Sequence, residues 1–251
     1  MTATHSYRLA TLWGSDHPQL GEVATASVAP YAGLALSRGG YPKAYPHLDP
    51  NEDAAFAATD GQRWLLAVAD GHNGFDAARA ALGAVAETAE SVLAAAAGAP
   101  ENALLEAFTA ARTAMTATVG ELDGQRRDSG TALSIALVAP GRLYAATLGD
   151  TVVLRLKSGR SGRSAAEVTS SSPFLRPHRT LPRPRSCRFR SGERVVLASD
   201  GLVDFLGREW RQQCATVASS AEPVAAARAL TERACAGGAG DNVAVVVFGP
   251  A

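Results

Sequence analysis

Aspartates follow apolar segments at several places in this sequence. Leu-Ala-Val-Ala runs directly into Asp70-Gly71, and Val-Leu-Ala-Ser runs in the same way into Asp200-Gly201. A third apolar segment ends at Gly149-Asp150, Asp241 precedes the last apolar segment, and Glu52 and Asp53 precede another. If these segments are strands of buried sheets, the acidic side chains lie at strand ends, where they can converge.

Converging carboxylates repel one another, and their burial without a partner is costly. A divalent cation removes both penalties, and carboxylate and carbonyl oxygens are the donors preferred by Mg²⁺ and Mn²⁺. A glycine after the aspartate permits a tight turn and a close backbone approach. Any single Asp-Gly is also a common turn dipeptide, and Asp60-Gly61 is predicted to be only a hairpin turn.

The elements that would carry these residues occur in segregated runs. Strands are predicted first, with a hairpin over residues 54–58 and 63–69, and then two helices over 76–97 and 102–119. Further strands, helices and a closing strand follow, at 131–139, 142–148, 151–156, 194–199, 202–206, 209–218, 223–235 and 243–248. Residues 157–190 are predicted to be irregular. This order favours an α+β fold with mostly antiparallel sheets.

Composition narrows the possible functions. The chain has 251 residues, 47% of them hydrophobic, and a formal net charge of +0. One large domain is therefore expected, with no nucleic-acid partner and no membrane association. No secretory signal or membrane-spanning run is found, and three cysteines without a CxxC pair favour a reducing cytoplasm. Neither a GxSxG elbow nor a P-loop is present.

Six short motifs occur in an order that resembles one family. They are Asn51-Glu-Asp-Ala, Asp70-Gly-His-Asn-Gly, Ser129-Gly-Thr-Ala, Gly149-Asp-Thr, Ala198-Ser-Asp-Gly-Leu-Val-Asp and Gly240-Asp-Asn-Val-Ala-Val. Together they resemble the metal-dependent protein phosphatases of the type-2C class, the PPM family, and a high alanine and arginine content is typical of a bacterial member. The resemblance implies a four-layer α/β/β/α sandwich of two mostly antiparallel sheets flanked by helices, in a single domain over 1–251.

The resemblance also implies roles for individual residues. Two Mn²⁺ or Mg²⁺ ions are expected, with Asp70 bridging them, the Gly71 carbonyl on one, and Asp200 and Asp241 on the other. A weaker third ion is implied at Asp150 with Asp200. Glu52 and Asp53 are expected to support the ligands, and His72 is expected to protonate the leaving oxygen. The reaction implied is hydrolysis of a phosphate monoester by a hydroxide held between the two cations.

The sequence departs from the family pattern where an arginine usually grips the substrate phosphate. Leu48 holds that position, so His47, Lys43, Arg176 and Arg179 are candidate substitutes. The last two belong to residues 157–190, a short basic segment that resembles the family's flap. A phosphate-attracting rim and a merely solvated basic loop are equally consistent with this composition.

Three functions remain open at this point. The expected one is dephosphorylation of phosphoserine or phosphothreonine proteins by a monomer. The alternatives are a phosphatase of small phosphorylated metabolites and a pseudophosphatase that serves as a binding or scaffold module. Leu48 favours the alternatives, whereas the retained Asp70, Asp200 and Asp241 favour an active enzyme.

Overall fold

Two six-stranded antiparallel sheets packed face to face position the acidic residues. The computed structural model describes residues 7–159, 162–169, 172–176, 180–219 and 221–250. Its elements in chain order are β1 (Arg8–Trp13), β2 (Ala24–Val28), β3 (Ala32–Ser37), β4 (Ala54–Thr59), β5 (Trp64–His72), α1 (Asp76–Ala95), α2 (Pro100–Gly120), β6 (Gly130–Ala139), β7 (Arg142–Leu148), β8 (Val152–Gly159), β9 (Gly162–Glu167), β10 (Arg185–Arg188), β11 (Arg194–Ala198), α3 (Asp200–Leu206), α4 (Trp210–Val217), α5 (Pro223–Ala236) and β12 (Val243–Phe248). Two short 3-10 turns lie at Gly14–Asp16 and Gly124–Asp128.

The strand order places the predicted sites near the middle of each sheet. The first sheet has the order β1-β4-β5-β6-β7-β10, and the second has the order β2-β3-β12-β11-β8-β9. Adjacent strands pair antiparallel throughout. Asp70 therefore ends a central strand of the first sheet, and Asp200 follows a central strand of the second.

Strand β5 explains why the layers assemble in this way. Leu66 and Val68 face the apolar core between the two sheets, whereas Leu65, Ala67 and Ala69 face α1 and α2. Alternate residues of a strand point to opposite faces, so a strand that is apolar throughout must be covered on both sides. Helices α3, α4 and α5 cover the outer face of the second sheet in the same manner. The predicted α/β/β/α sandwich is confirmed.

The hairpin turn at Asp60-Gly61 and the helix predicted over 102–119 are both present in the structure. Asp60 makes the hairpin turn between β4 and β5, because its Oδ1 accepts the backbone N–H groups of Gln62 and Arg63 at 2.8 and 2.7 Å. Gly61 has a φ of 90°, which glycine adopts without strain. Helix α2 begins at Pro100, two residues before the predicted start, since proline is well suited to the first helical position.

Three edge strands were not predicted. The prediction that residues 157–190 are irregular is wrong in two places, because β9 pairs with β8 and β10 pairs with β7. Strand β1 pairs with β4 at the other edge of the first sheet. Each of these edge segments contains arginine together with serine or threonine, so no unbroken apolar run marks them and their pairing depends on the neighbouring strand.

None of the described helices combines the length and the apolar character that crossing a membrane requires.

Candidate metal centre

The end of β5 brings Asp70 to the gap between the two sheets. Asp70, Gly71 and His72 pair with Ala132, Thr131 and Gly130 of β6. The Thr131 hydroxyl oxygen lies 2.8 Å from the backbone carbonyl oxygen of Asp70. The Ser-Gly-Thr-Ala motif therefore holds the strand end that carries the central aspartate.

Asp70, Asp150 and Asp200 come from three different strand ends and converge. One carboxylate oxygen from each lies within 4.8 Å of those of the other two. Asp150 Oδ1 is buried and has no hydrogen-bond partner among the described residues. A carboxylate oxygen buried beside two other carboxylates fits a divalent cation, because no hydrogen bond from the described residues offsets its desolvation.

Charge repulsion is strong in this cluster. Burial raises the pKa of Asp70 well above its usual range, and the charges of Asp53, Asp200, Asp150 and Asp241 raise it further. Burial, followed by the charges of Asp241 and Asp150, raises the pKa of Asp200 to about 6. The cluster therefore favours a bound proton or cation, and a divalent metal displaces protons from such carboxylates.

Glu52 and Asp53 hold the surrounding backbone. Glu52 Oε1 accepts the Gly74 N–H at 2.7 Å, which fixes the turn that follows His72. Asp53 Oδ2 accepts the Ser199 hydroxyl at 2.7 Å, and Ser199 directly precedes Asp200. The Asp53 bond therefore joins the first sheet to the second, whereas the Glu52 bond holds the turn after β5 within the first sheet.

Glycine is required after Asp70 and after Asp200, because a neighbouring backbone carbonyl group lies too close to leave room for a side chain. A Cβ on Gly71 would lie 2.7 Å from the Glu52 carbonyl oxygen, and a Cβ on Gly201 would lie 2.0 Å from the Asn242 carbonyl oxygen. Both distances are shorter than real Cβ contacts. The two Asp-Gly pairs thus differ from Asp60-Gly61, where glycine serves the turn.

Asp241 is held by polar contacts from a loop that precedes Glu52. Its Oδ2 accepts the Tyr45 hydroxyl at 2.6 Å, and its Oδ1 lies 3.2 Å from the Lys43 ammonium. The same ammonium lies 3.2 Å from Glu52 Oε2. Burial alone would lower the pKa of Lys43, but the charges of Asp241, Glu52 and Asp53 outweigh it and raise that pKa. Lys43 was predicted as a candidate phosphate ligand, but its ammonium group lies between the carboxylates of Glu52 and Asp241.

Asn242 fixes the position of Asp241. Its Oδ1 accepts the Glu52 N–H at 2.9 Å, and its Nδ2 donates to the carbonyl oxygens of Arg38 and Pro50 at 3.1 and 3.0 Å. Asn242 is 2% exposed, so these hydrogen bonds have no competition from bulk water. The loop that carries Lys43 and Tyr45 is thereby attached to the turn that carries Asp241.

We expect Asn242→Ala to lower the free energy of unfolding by about 3 kcal/mol, because three hydrogen bonds are lost and the Glu52 N–H is left buried without a partner. Mn²⁺ affinity should fall by about 10- to 100-fold, as for other residues that orient metal ligands. Urea unfolding and calorimetric Mn²⁺ titration measure the two effects. The matched control is Asn102→Ala on exposed α2 surface, and equal stability of the two variants would contradict this role.

The centre opens into a cavity of about 460 Å³. Acidic residues form one side, and His72, Asn73, His47 and Arg176 also contribute to the wall. The His72 ring lies 4.4 Å from the Phe174 ring, and its Nδ1 lies 3.6 Å from Asp70 Oδ1. The cavity therefore combines carboxylates, which could hold a metal ion, with imidazole and guanidinium groups, which suit a phosphate ester.

Comparison with known proteins identifies the family. A model of the family described as Protein phosphatase 2C matches residues 46–233. The chain belongs to this family.

This chain is similar in sequence and in structure to a mycobacterial phosphatase. The serine/threonine protein phosphatase PstP of Mycobacterium tuberculosis is 30% identical over 227 residues, which cover 78% of this chain and 41% of PstP. This chain thus spans less than half the length of that relative. A crystal structure of Mycobacterium tuberculosis PstP has a TM-score of 0.69 and 26% identity, covering 90% of this chain and 97% of that one. A structure of the PstP catalytic domain with two manganese ions has a TM-score of 0.66 and 24% identity, covering 96% of each chain.

Leu48, the departure from the family pattern, and Asn73 of the second motif each have a defined structural setting. Asn73 has a φ of 60°, a conformation that asparagine tolerates better than most residues, and its Nδ2 donates to the Asp128 carbonyl oxygen at 3.2 Å. Leu48 lines a neighbouring cavity with Gln125 and Asp128, and His47 contributes to both cavities. Arg179 lies outside the described residues.

Three residues near the site were missed by sequence reasoning. Asp204 lines the cavity one helical turn after Asp200, and this i, i+4 spacing was a usable signal. Tyr45 had no signal of its own. Arg126 forms ion pairs with Asp49 and Asp76, and it thereby fixes the loop after Leu48 to the start of α1. Its effect depends on a contact between distant segments, which the sequence does not display.

Proposed function

We propose that this chain is a metal-dependent phosphoprotein phosphatase acting on phosphoserine and phosphothreonine, folded as one catalytic domain. The observation that carries the proposal is the convergence of Asp70, Asp150 and Asp200 within 4.8 Å beside the cavity. Membership of the phosphatase 2C family and the likeness to PstP support the reaction. The two manganese ions of the PstP catalytic domain support the choice of Mn²⁺ or Mg²⁺.

The residues that would hold two cations are Asp70, the Gly71 carbonyl, Asp200 and Asp241, with Asp150 contributing to a weaker third position. When bound, divalent cations lower the pKa of water and neutralise phosphoryl oxygens. Glu52 and Asp53 orient the ligands through their bonds to Gly74 and Ser199. All these donors are hard oxygens, which favours Mn²⁺ or Mg²⁺ over zinc.

His72 is proposed as the general acid. Its Nδ1 faces Asp70, which leaves Nε2 as the nitrogen available to the leaving oxygen of the substrate. Contact with Phe174 limits the orientations of the ring. Histidine is the side chain most often used as a general acid, and at this position His72 would protonate a serine or threonine alkoxide as it departs.

The partner implied is a phosphorylated protein segment at the open cavity, and nothing in the balanced charge favours nucleic acid. We propose a monomer that works in the bacterial cytoplasm. The three cysteines are free thiols, which suits a reducing compartment.

A substrate panel tests the proposal. With Mn²⁺ present, kcat/KM should be higher for a phosphothreonine peptide than for p-nitrophenyl phosphate or a sugar phosphate. A preference for the sugar phosphate would make the chain a metabolite phosphatase. Mn²⁺ binding without phosphate release from any substrate would favour the pseudophosphatase alternative.

Arg176 is an exposed cation on the cavity wall. We expect Arg176→Ala to raise KM for a phosphopeptide about 2- to 5-fold, because an exposed ion pair contributes up to about 1 kcal/mol. The value of kcat should change little, because ground-state and transition-state binding lose the contact equally. Arg188→Ala is the matched control, since Arg188 pairs with Arg142 at the end of β7 remote from Asp150. Equal KM values in the two variants would show that Arg176 does not bind substrate. The phosphate-binding arginine that the family usually has at the position of Leu48 would then have no replacement in Arg176.

A further inference from the structure

Lys43 is one of only two lysines in the chain, and it lies inside the acidic centre. Its side chain is 5% exposed, and its ammonium lies 3.2 Å from one oxygen of Glu52 and 3.2 Å from one oxygen of Asp241. The ammonium also lies 5.4 Å from the centre of the Tyr45 ring. A fully charged lysine is rarely buried unless it is paired, so this placement is held by the two acids.

The two sides of the centre differ in how their carboxylates are satisfied. Asp241 Oδ1 accepts the Asn242 N–H at 2.7 Å and faces Lys43, while Asp241 Oδ2 accepts the Tyr45 hydroxyl. On the other side, Asp150 Oδ1 has no hydrogen-bond partner within the described part of the chain. One side is therefore already neutralised by a group of the protein, and the other is open to an added cation.

We propose that Lys43 is a built-in cation of the centre, and that a divalent ion uses Asp241 only after the Lys43 ammonium has been displaced. The inference rests on the proposed function, since it concerns the same metal centre. Both oxygens of Asp241 are already engaged, Oδ1 by the Asn242 N–H and the Lys43 ammonium and Oδ2 by the Tyr45 hydroxyl. A divalent ion bound to either oxygen at about 2.0–2.6 Å would lie close to the positive ammonium, so Lys43 and the ion repel each other and compete for Asp241.

The competition has two consequences. In the metal-free protein, the Lys43 ammonium balances the negative charges of Glu52 and Asp241. Without it, these two carboxylates would lie in the centre with no counter-charge, which is destabilising. Metal binding at Asp241 becomes weaker than the acidic residues alone would give, since the ion must first replace an existing ionic partner. Tyr45 and His47 belong to the same loop and line the cavity, so displacement of Lys43 also changes the wall that a substrate meets.

The direct test measures the reactivity of the two lysine amines in the wild-type protein. The protein is treated with an acetylating reagent after chelation and again with saturating Mn²⁺, and modified peptides are quantified by mass spectrometry. The exposed Lys157 is the internal control. Acetylation of Lys43 should be slow without metal and rise at least about 10-fold with Mn²⁺, because the ion shifts the population towards the displaced lysine. An unchanged Lys43 rate under conditions where Mn²⁺ binds would overturn the proposal.

A second test uses Lys43→Met, which keeps an unbranched side chain of similar length and removes its charge. Calorimetric titration should show Mn²⁺ binding about 10-fold tighter than in wild type, or one additional bound ion, because the competitor is gone. Thermal unfolding should show a larger Mn²⁺-induced rise in Tm than in wild type. Lys157→Met should match wild type in both measurements, and a Lys43→Met variant that also matched wild type would contradict the inference.

The outcomes separate this inference from the proposed function. Mn²⁺ binding and phosphatase activity with an unreactive Lys43 leave the function intact and remove the role of the lysine. Absence of Mn²⁺ binding in wild type and Lys43→Met alike overturns both.

Discussion

Asp200→Asn should lower kcat/KM of the Mn²⁺-loaded enzyme by at least about 10³-fold, while the protein remains folded. Metal ions contribute several kcal/mol of charge stabilisation in such reactions, and each 1.36 kcal/mol corresponds to a factor of ten. Asp200 is one of the three converging carboxylates, so a neutral amide weakens both the ligand set and its charge. Hydrolysis of p-nitrophenyl phosphate at increasing Mn²⁺ concentrations measures the effect.

The chain contains a matched control for this substitution. Asp60 also precedes a glycine, but it makes the hairpin turn at the end of β5 remote from Asp70. Asp60→Asn should leave kcat/KM close to that of wild type, because an amide oxygen can still accept the turn hydrogen bonds. Wild-type activity in Asp200→Asn at saturating Mn²⁺ would exclude Asp200 as a ligand.

The second large effect is on the stability of the metal-free protein. The pKa of Asp200 is raised to about 6 from an unfolded value of 3.8, chiefly by burial and by the charge of Asp241. The folded state therefore holds the Asp200 proton more tightly than the unfolded state does. This contribution to stability is complete below pH 3.8 and is lost as the pH rises through about 6.

Asp200→Asn removes this contribution, so the chelated variant should gain stability relative to wild type as the pH rises. Between about pH 4 and pH 7 the difference in unfolding free energy should change by about 2.5 kcal/mol in favour of the variant, because each pKa unit corresponds to 1.36 kcal/mol and most of the shift from 3.8 to about 6 falls in this range. Urea unfolding of both chelated proteins across this range measures it. Saturating Mn²⁺ should reverse the order, because the ion stabilises only the protein that binds it well. A difference independent of pH would show that Asp200 is not held protonated by its neighbours.

Much of this arrangement was accessible from the sequence because the decisive signals are local. An apolar strand that runs into Asp70 or Asp200 places each carboxylate at a strand end, and the two helices after β5 have long runs of helix-forming residues. Two sheets that are apolar on both faces then require helices outside, which leads to the four layers. The convergence of Asp70 and Asp200 follows from these features and from the order of the motifs, whereas Asp150 was expected only at a weaker third position.

The parts that sequence reasoning missed depend on contacts between distant segments. Lys43 could be recognised as a cation near the first acidic motif, but its pairing with Asp241 joins positions 198 residues apart. Arg126 joins Asp49 and Asp76 in a similar way. Strand β10 has no apolar alternation that distinguishes it from a loop, and it forms because β7 offers an unpaired edge.

The most direct test of the central claim is a metal-dependent turnover measurement on the wild-type chain. The protein is treated with a chelator, dialysed, and assayed for phosphate release from a phosphothreonine peptide with and without added Mn²⁺. The account predicts negligible release without metal and catalytic release, with many turnovers per chain, once Mn²⁺ is restored. Equal release with and without Mn²⁺, or none in either condition while calorimetry shows bound Mn²⁺, would contradict it.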